Sequence, residues 1–335
     1  MGLRDTARAV VAERLQGLPV PEPETLSFVQ RAAGEPHPWP RVWIVTARAA
    51  FDQGTFRKLD AWLASTSMTE FVPLRRCGVA TGVSSNGTTV LAVVAIDALA
   101  DLAPIPTRVR TGQWLTVEAT MRVPARDGRV VIMGPSGAPR SVPTWFDGTT
   151  LRARFAPDSP GEHSLQVVAN LPDGPRPVIE ATIFVDLDPS AATPPHDAPG
   201  EGLSESPKDD CDSLGRMLAA ARIFSGLEPL VRDPRLDAVA SAHAAQMARA
   251  HRLAHDVGDG DPLDRLHNAG LDPRDAGENV AQASTIALAH RAQWWSPSHR
   301  ANMLRGAQSR LGIGVVRDER GQAWAVELFA SGISP

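Results

Sequence analysis

Apolar residues recur along this chain with two periods, and the change from one to the other divides it. Residues 3–16 and 54–65 carry apolar positions at helical spacing and predict two helices. Strands are predicted at 77–83 and 88–95, around Ser84-Ser85-Asn86-Gly87, whose Asn-Gly pair favours a tight hairpin. From about residue 105 to 188 the period is two. Trp114–Met121, Arg129–Met133, Leu151–Phe155 and Ile179–Val185 alternate, with Gly, Pro and Asp turns between them. That pattern predicts a small antiparallel β-sandwich. The helical period returns after residue 209. Leu214, Met217, Leu218 and Ala221 share one face of a helix expected to be capped by Ser213 and ended by Gly226. Asp233-Pro234 opens a second helix, which buries Leu236, Val239, Ala240, His243 and Met247. Short helices follow from Asp261-Pro262 to Gly270, over 285–295, and from Ser296-Pro297 to Leu304. Two strands close the chain. Leu311, Ile313 and Val315 share a face of 310–317, and Trp324, Val326 and Leu328 share a face of 322–329.

These readings give an α+β multidomain chain: a small α/β module at 1–103, a β-sandwich at 104–188, a Pro/Gly-rich linker at 189–206 and a mixed domain at 207–335. The linker, Pro189 through Gly202, has no apolar periodicity and is expected to be extended and exposed. The 335 residues suffice for two or three domains, and 43% hydrophobic composition suffices for their cores. The net charge of −4 and the absence of a long basic run argue against nucleic acid as a partner. No stretch reaches the length of a membrane span. The opening run Leu3–Val11 carries charges among its apolar positions and does not read as a signal peptide. Cys77 and Cys211 are the two cysteines, too few for a disulfide framework or a four-Cys zinc site. Two separate thiols are expected rather than one bridge.

The chemistry-bearing residues gather in the last third. In order stand His255-Asp256, Gly277-Glu278-Asn279-Val280-Ala281, Trp295-Ser296-Pro297-Ser298-His299-Arg300 and Leu311-Gly312-Ile313-Gly314-Val315-Val316. Each is short, but the four in this order, over about 209–332, resemble the CAP superfamily (cysteine-rich secretory, antigen 5 and pathogenesis-related proteins, or SCP domains), its bacterial branch above all. The resemblance implies an α-β-α sandwich for 207–335. Residues 155–167 resemble the late hairpin of bacterial Ig-like domains, which implies an Ig-like sandwich at 104–188. In the N-terminal module, Gly78 precedes Gly87 by nine residues, as Gly312 precedes Gly321. Two readings stay open there: a degenerate second CAP-like half, or an unrelated hairpin of similar spacing.

His251 and His255, four apart, are read as sharing a face at the end of the second helix. Glu278 is read in a loop after Gly277, and His299 in the first turn of a helix, where the dipole favours a neutral imidazole. The resemblance implies a cleft that gathers two His and two acidic residues and in several members binds a divalent metal. His255, Glu278 and His299 match three of its positions, with Asn279 and Arg300 beside them. Trp324 stands where the fourth, a His in animal and plant relatives, is expected. Glu327 falls where relatives carry Gln, on the face opposite Trp324. The binding residues are therefore His255, Glu278, Asn279, His299 and Arg300, and the candidate ligands for a zinc ion are His255, Glu278 and His299. No cofactor is required by the sequence, and no nucleophile or oxyanion pair can be named. The resemblance implies an extracellular or periplasmic binding protein for a lipid, peptide or envelope component. The alternatives are a metal-dependent hydrolase with Glu278 as general base, and a structural or adhesion module.

Overall fold

The structure is a computed structural model that describes residues 2–21, 23–32, 34–48, 51–65, 74–188, 196–204 and 210–333. It falls into two compact units. The first comprises 1–130, 142–169 and 177–195, and the second 131–141, 170–176 and 196–335.

The first unit opens with α1 (Leu3–Leu15), α2 (Pro23–Ala32), β1 (Arg41–Ala47), α3 (Gln53–Ser65), β2 (Leu74–Val83) and β3 (Thr89–Ala98). The strands form an antiparallel sheet in the order β1-β3-β2. Leu3, Ala7, Val10 and Val11 of α1 pack on Val90, Ala92, Val94 and Ile96 of β3. The helix lies so close that a Cβ at Gly78 of β2 would overlap the backbone of Leu3. The helices and hairpin read from the sequence are present. β1 was not expected, because nearly every residue in it is half-buried and no alternation shows.

The β-rich part follows: β4 (Ala100–Leu102), β5 (Arg108–Val109), β6 (Leu115–Met121), β7 (Asp127–Met133), β8 (Arg140–Val142), β9 (Thr144–Phe146), β10 (Thr150–Phe155), β11 (Gly161–Leu171) and β12 (Gly174–Val185). They form two sheets, β4-β6-β10-β9 and β5-β12-β11-β7-β8. The expected antiparallel arrangement needs one correction, since β5 pairs with β12 in parallel. The helical module and the β-rich part share one unit. The Glu180 amide donates to Pro36 O at 2.7 Å, and Arg31 pairs with the Glu180 carboxylate at 2.8 Å.

In the second unit stand α4 (Asp210–Phe224), β13 (Val231–Arg232), α5 (Pro234–Ala250), α6 (Pro262–Asn268), β14 (Asp275–Ala283), α7 (Ile286–Trp295), α8 (Pro297–Met303), β15 (Arg310–Arg317) and β16 (Ala323–Ser331). Four strands order as β13-β15-β16-β14, leaving β14 at an edge. Helices cover both faces. Leu311, Ile313, Ala325 and Phe329 pack against α4, α7 and α8, whereas Val280, Trp324, Val326 and Leu328 pack against α5 and α6. At Gly312 and Gly314 a Cβ would overlap the backbone of Leu236 and Ala240, so these glycines set how near α5 lies to the sheet.

Two expectations are corrected here. Ser213 does not cap α4, which starts at Asp210; Ser213 is fully buried inside it. Residues 196–203, expected as exposed linker, are docked. Trp295 Nε1 donates to His196 O at 2.9 Å, Arg291 pairs with Glu201, and Ala198 is buried in the core under α4 and α7. The Pro/Gly composition hid these side-chain anchors. Residues 189–195 and 205–209 of that segment lie outside the described residues. Cys77 and Cys211 are both free thiols. Among the described residues no helix is long and apolar enough to cross a membrane.

Candidate functional site

The expected site residues come from three places in the second unit. His255 is not on α5. That helix ends at Ala250, and His251 caps it with a left-handed backbone, φ 49°. The helical i, i+4 relation of His251 and His255 therefore does not exist, and His255 stands on the loop that follows. Glu278 is not on a loop but inside β14, paired with Leu328 of β16. His299 is in the first turn of α8, as expected.

The structure joins His255 and Glu278 directly. His255 Nδ1–H donates to Glu278 Oε1 at 2.8 Å. The other carboxylate oxygen accepts from Arg265 of α6, whose guanidinium also donates to His255 O at 2.8 Å. Arg265 in turn lies 3.7 Å from Asp259. His243, fully buried on α5, has Nδ1 2.8 Å from an Asp259 carboxylate oxygen and Nε2 3.1 Å from Ala254 O. Burial alone would raise the Glu278 pKa, but the His255 hydrogen bond and the charges of His255, Arg265 and His243 outweigh it, and the net shift is downward. Glu278 is thus a buried carboxylate held on both oxygens. Arg265, Asp259 and the role of His243 were not found in the sequence. The signal available was an Arg immediately before a core Leu on the buried face of a short helix, a position that needs a partner.

On the opposite face of β14, Asn279 is fully buried. Its amide donates to Glu327 Oε2 at 3.0 Å and to His299 O at 3.2 Å, and accepts from Asn302 at 2.9 Å. Asn302 also donates to Glu278 O at 3.1 Å. Asn279 is therefore the anchor that fixes α8, and with it His299, to the strand carrying Glu278. Burial, and then the charge of His255, lower the His299 pKa to about 4, so the ring is neutral at physiological pH. The cause is desolvation rather than the helix dipole that the sequence suggested. Arg300 lies over the Trp294 ring at 3.7 Å, with Nη1 3.5 Å from Met133 Sδ, and burial lowers its pKa to about 10. Trp324 is buried in the core, its Nε1 donating to Asp318 at 3.1 Å.

A zinc site built on His255, Glu278 and His299 does not fit this arrangement. Both Glu278 oxygens are engaged, and among the described residues no three His, Cys, Asp or Glu side chains are placed to hold one metal ion. The same bonds use one lone pair on each Glu278 oxygen and tie the carboxylate into the core as an anchor between His255 and Arg265.

A sequence model of the cysteine-rich secretory protein family (CAP) matches residues 216–329, about the last third of the chain. Among solved structures, an outer surface protein from Borrelia burgdorferi is 21% identical, with 38% of this chain and 96% of that one covered and a TM-score of 0.35. An extracellular SCP-domain protein from Bacillus anthracis is 14% identical, covering 69% and 88%, with a TM-score of 0.35. A cysteine-rich secretory protein from Staphylococcus aureus is 13% identical, also covering 69% and 88%, with a TM-score of 0.32. No curated protein matches. The ordered motifs, the two helical layers about the β13-β15-β16-β14 sheet and the family match agree: residues 216–329 belong to the CAP superfamily.

Proposed function

We propose that this chain is an exported binding protein whose CAP domain engages a peptide, lipid or envelope component through the surface around His255 and His299. The observation that supports binding over hydrolysis is the state of Glu278, held by His255 at 2.8 Å and by Arg265 and buried in the core rather than presented to water. In this reading His255, His299 and Arg300 shape the surface, and the buried network behind them, anchored by Asn279, keeps it rigid. What supports export is the description of the matched family as cysteine-rich secretory proteins. The β-rich part, read as Ig-like, serves as the spacer that presents the CAP domain.

The test is an assay of the purified chain against peptide and ester substrates, with and without added zinc. No turnover is expected. Zinc-dependent turnover abolished by Glu278→Gln in a folded protein would replace the binding reading with a metal-dependent hydrolase. Native mass spectrometry of the protein mixed with peptides and with lipids then identifies which class is retained.

A further inference from the structure

Besides the CAP domain, the second unit contains two hairpin tips, 131–141 and 170–176. The second tip meets the loop that carries His255. The Asp256 amide donates to Asp173 O at 3.1 Å, and Arg176 donates to Leu253 O at 2.7 Å. Between these two bonds, Gly174 lies against His255. A Cβ at Gly174 would stand 2.6 Å from His255 Cβ, and the backbone there has φ 110°, so glycine is required on both counts. Asp173 and Arg176 pair at 3.3 Å and are 8% and 5% exposed, which holds the turn in shape from within. The first tip brings Met133 to Arg300 at 3.5 Å.

The loop at 253–256 thus offers one main-chain acceptor and one main-chain donor three residues apart, and both are satisfied by a polypeptide turn. Buried backbone groups need such partners. An acyl chain supplies neither, and the phosphodiester of a lipid headgroup supplies only acceptors. Asp173 pairs with Arg176 within the turn and Arg176 also donates to the CAP loop, so recognition runs through backbone, through the absence of a side chain at Gly174, and through one Arg. We propose that the surface around His255 is a receptor for a tight polypeptide turn of the form Asp-Gly-x-Arg, and that residues Leu171–Arg176 are its built-in occupant. This rests on the reading of the CAP domain as a binding module and names its ligand class. A partner peptide must compete with a tethered copy of the same turn, so its apparent affinity for the intact chain is reduced by the fraction of molecules in which the surface is free.

The full chain is compared with Gly174→Val, which cannot seat the turn, and Arg176→Ala, which leaves the backbone intact and removes the bond to Leu253. The probe is a cyclised peptide carrying the sequence of residues 170–177, titrated calorimetrically, alongside the rate at which diethylpyrocarbonate modifies His255. In both variants modification should be at least about tenfold faster and peptide binding at least about tenfold tighter than in the wild type. A peptide with Val in place of the glycine should not bind. If Gly174→Val does not fold, Arg176→Ala carries the comparison. Unchanged His255 reactivity in a folded variant overturns the occupancy, and faster reactivity without peptide binding overturns the turn receptor. Peptide hydrolysis by the opened variants would sink the non-catalytic reading of the domain while leaving the occupancy intact. Retention of lipid and not of peptide would leave a binding module with the wrong ligand class.

Discussion

In residues 41–98 the first strand pairs with the third and the third with the second, and the same holds for β14, β15 and β16. A helix that precedes the first strand crosses the second strand at glycine in both cases, α1 at Gly78 and α5 at Gly312. The hairpins close alike too. Ser84 N–H donates to Thr88 O and Gly87 N–H to Ser84 O, as Asp318 does to Gln322 and Gly321 to Asp318. Setting Gly78 on Gly312 places Val94 on Leu328, and the registers then place Val42 on Glu278, Trp43 on Asn279 and Val93 on Glu327. One sheet fills these places with apolar side chains and the other with a buried polar network. The frame is a way of packing one helix on three strands and carries no chemistry. The chemistry comes from two strand positions and from the loops and short helices around them.

The largest expected effect attacks what the two regions share. Gly312→Ala and Gly78→Ala each drive a methyl group into helix backbone, which cannot yield as a side chain tip can. Each should cost more than about 4 kcal/mol, in the exceptional class of single substitutions. Calorimetric unfolding should show each half losing its cooperative transition. A Gly78→Ala protein with unchanged unfolding would show that the two crossings are not one device.

The next effect attacks what they do not share. Arg265→Ala leaves Glu278 buried without its guanidinium partner, at a cost of about 3 kcal/mol or somewhat more. The register counterpart Val42→Ala removes only two part-buried methyl groups, about 1 kcal/mol. Replacing Arg265 and Glu278 together by Met should recover most of the loss. Glu278 has a folded pKa below its ordinary value, so its contribution is present above about pH 4.5 and is lost as the pH falls through the depressed value. Urea unfolding of Arg265→Ala at neutral pH checks the magnitude, and a cost under 1 kcal/mol would mean the pair is not what holds Glu278.

Glu327 slopes the other way. It is fully buried, Oε2 accepts from Asn279, and Oε1 has no hydrogen-bond partner among the described residues. Burial raises its pKa to about 7. The folded state holds the proton that the unfolded state releases above about pH 4.5, so stability falls as the pH rises from there toward 7 and then levels off. From that shift the loss at pH 8 is up to about 3 kcal/mol. Glu327→Gln keeps the amide-to-oxygen bond and removes the titration. It should gain most of that amount at pH 8 and almost nothing at pH 4, whereas Val93 at the matching position contributes no such slope. Parallel stability–pH curves for the variant and the wild type would refute the buried carboxyl.

Motif order led to His255, Glu278, His299, Asn279 and Arg300, and the periodicity led to the helices and strands that carry them. What the sequence hid is what depends on contacts between layers. Arg265 and Glu278 are 13 residues apart in the chain and meet only because α6 and the edge strand β14 share one face of the sheet. Placing Glu278 in a loop was an error of the same kind: Gly277 reads as a break, yet its backbone is ordinary strand paired with Phe329. His255 was misread as helical because His251 ends α5 in a left-handed turn that neither its own residue type nor its neighbours announce. Linker composition hid Ala198, which joins the core of the second unit, and Glu201, whose partner Arg291 lies 90 residues on. The apolar core was legible wherever its pattern is local and repeated, and α2 and β1, which bring Leu26, Val42 and Ile44 to the N-terminal core, escaped it.

The smallest effect separates the two hairpins. In one turn the Ser84 hydroxyl accepts the Thr88 amide at 3.1 Å, and in the other the Asp318 carboxylate accepts the Gln322 amide at 2.9 Å. Asp318 does more: its second oxygen accepts the indole N–H of Trp324, the largest fully buried side chain of the β16 strand. Ser84→Ala removes the hydroxyl's turn bonds to the Thr88 amide and to Asn86 and should cost roughly 0.5 kcal/mol at any pH. Asp318→Ala also leaves the indole N–H without its partner and should cost about 1 to 1.5 kcal/mol at pH 7. Burial works to raise the Asp318 pKa, but the Trp324 and backbone hydrogen bonds outweigh it, and the folded value lies below 3.8. Its charge-dependent share of stability is therefore present above pH 3.8 and lost as the pH falls through that lowered value. The gap between the two variants should narrow in acid, read from thermal unfolding at pH 7 and pH 3. Asp318→Ser, which makes the second turn resemble the first, should retain the amide bond and lose only the indole's. If Asp318→Ser is as costly as Asp318→Ala, the turn bond contributes nothing and the two hairpins differ in more than the tie to Trp324.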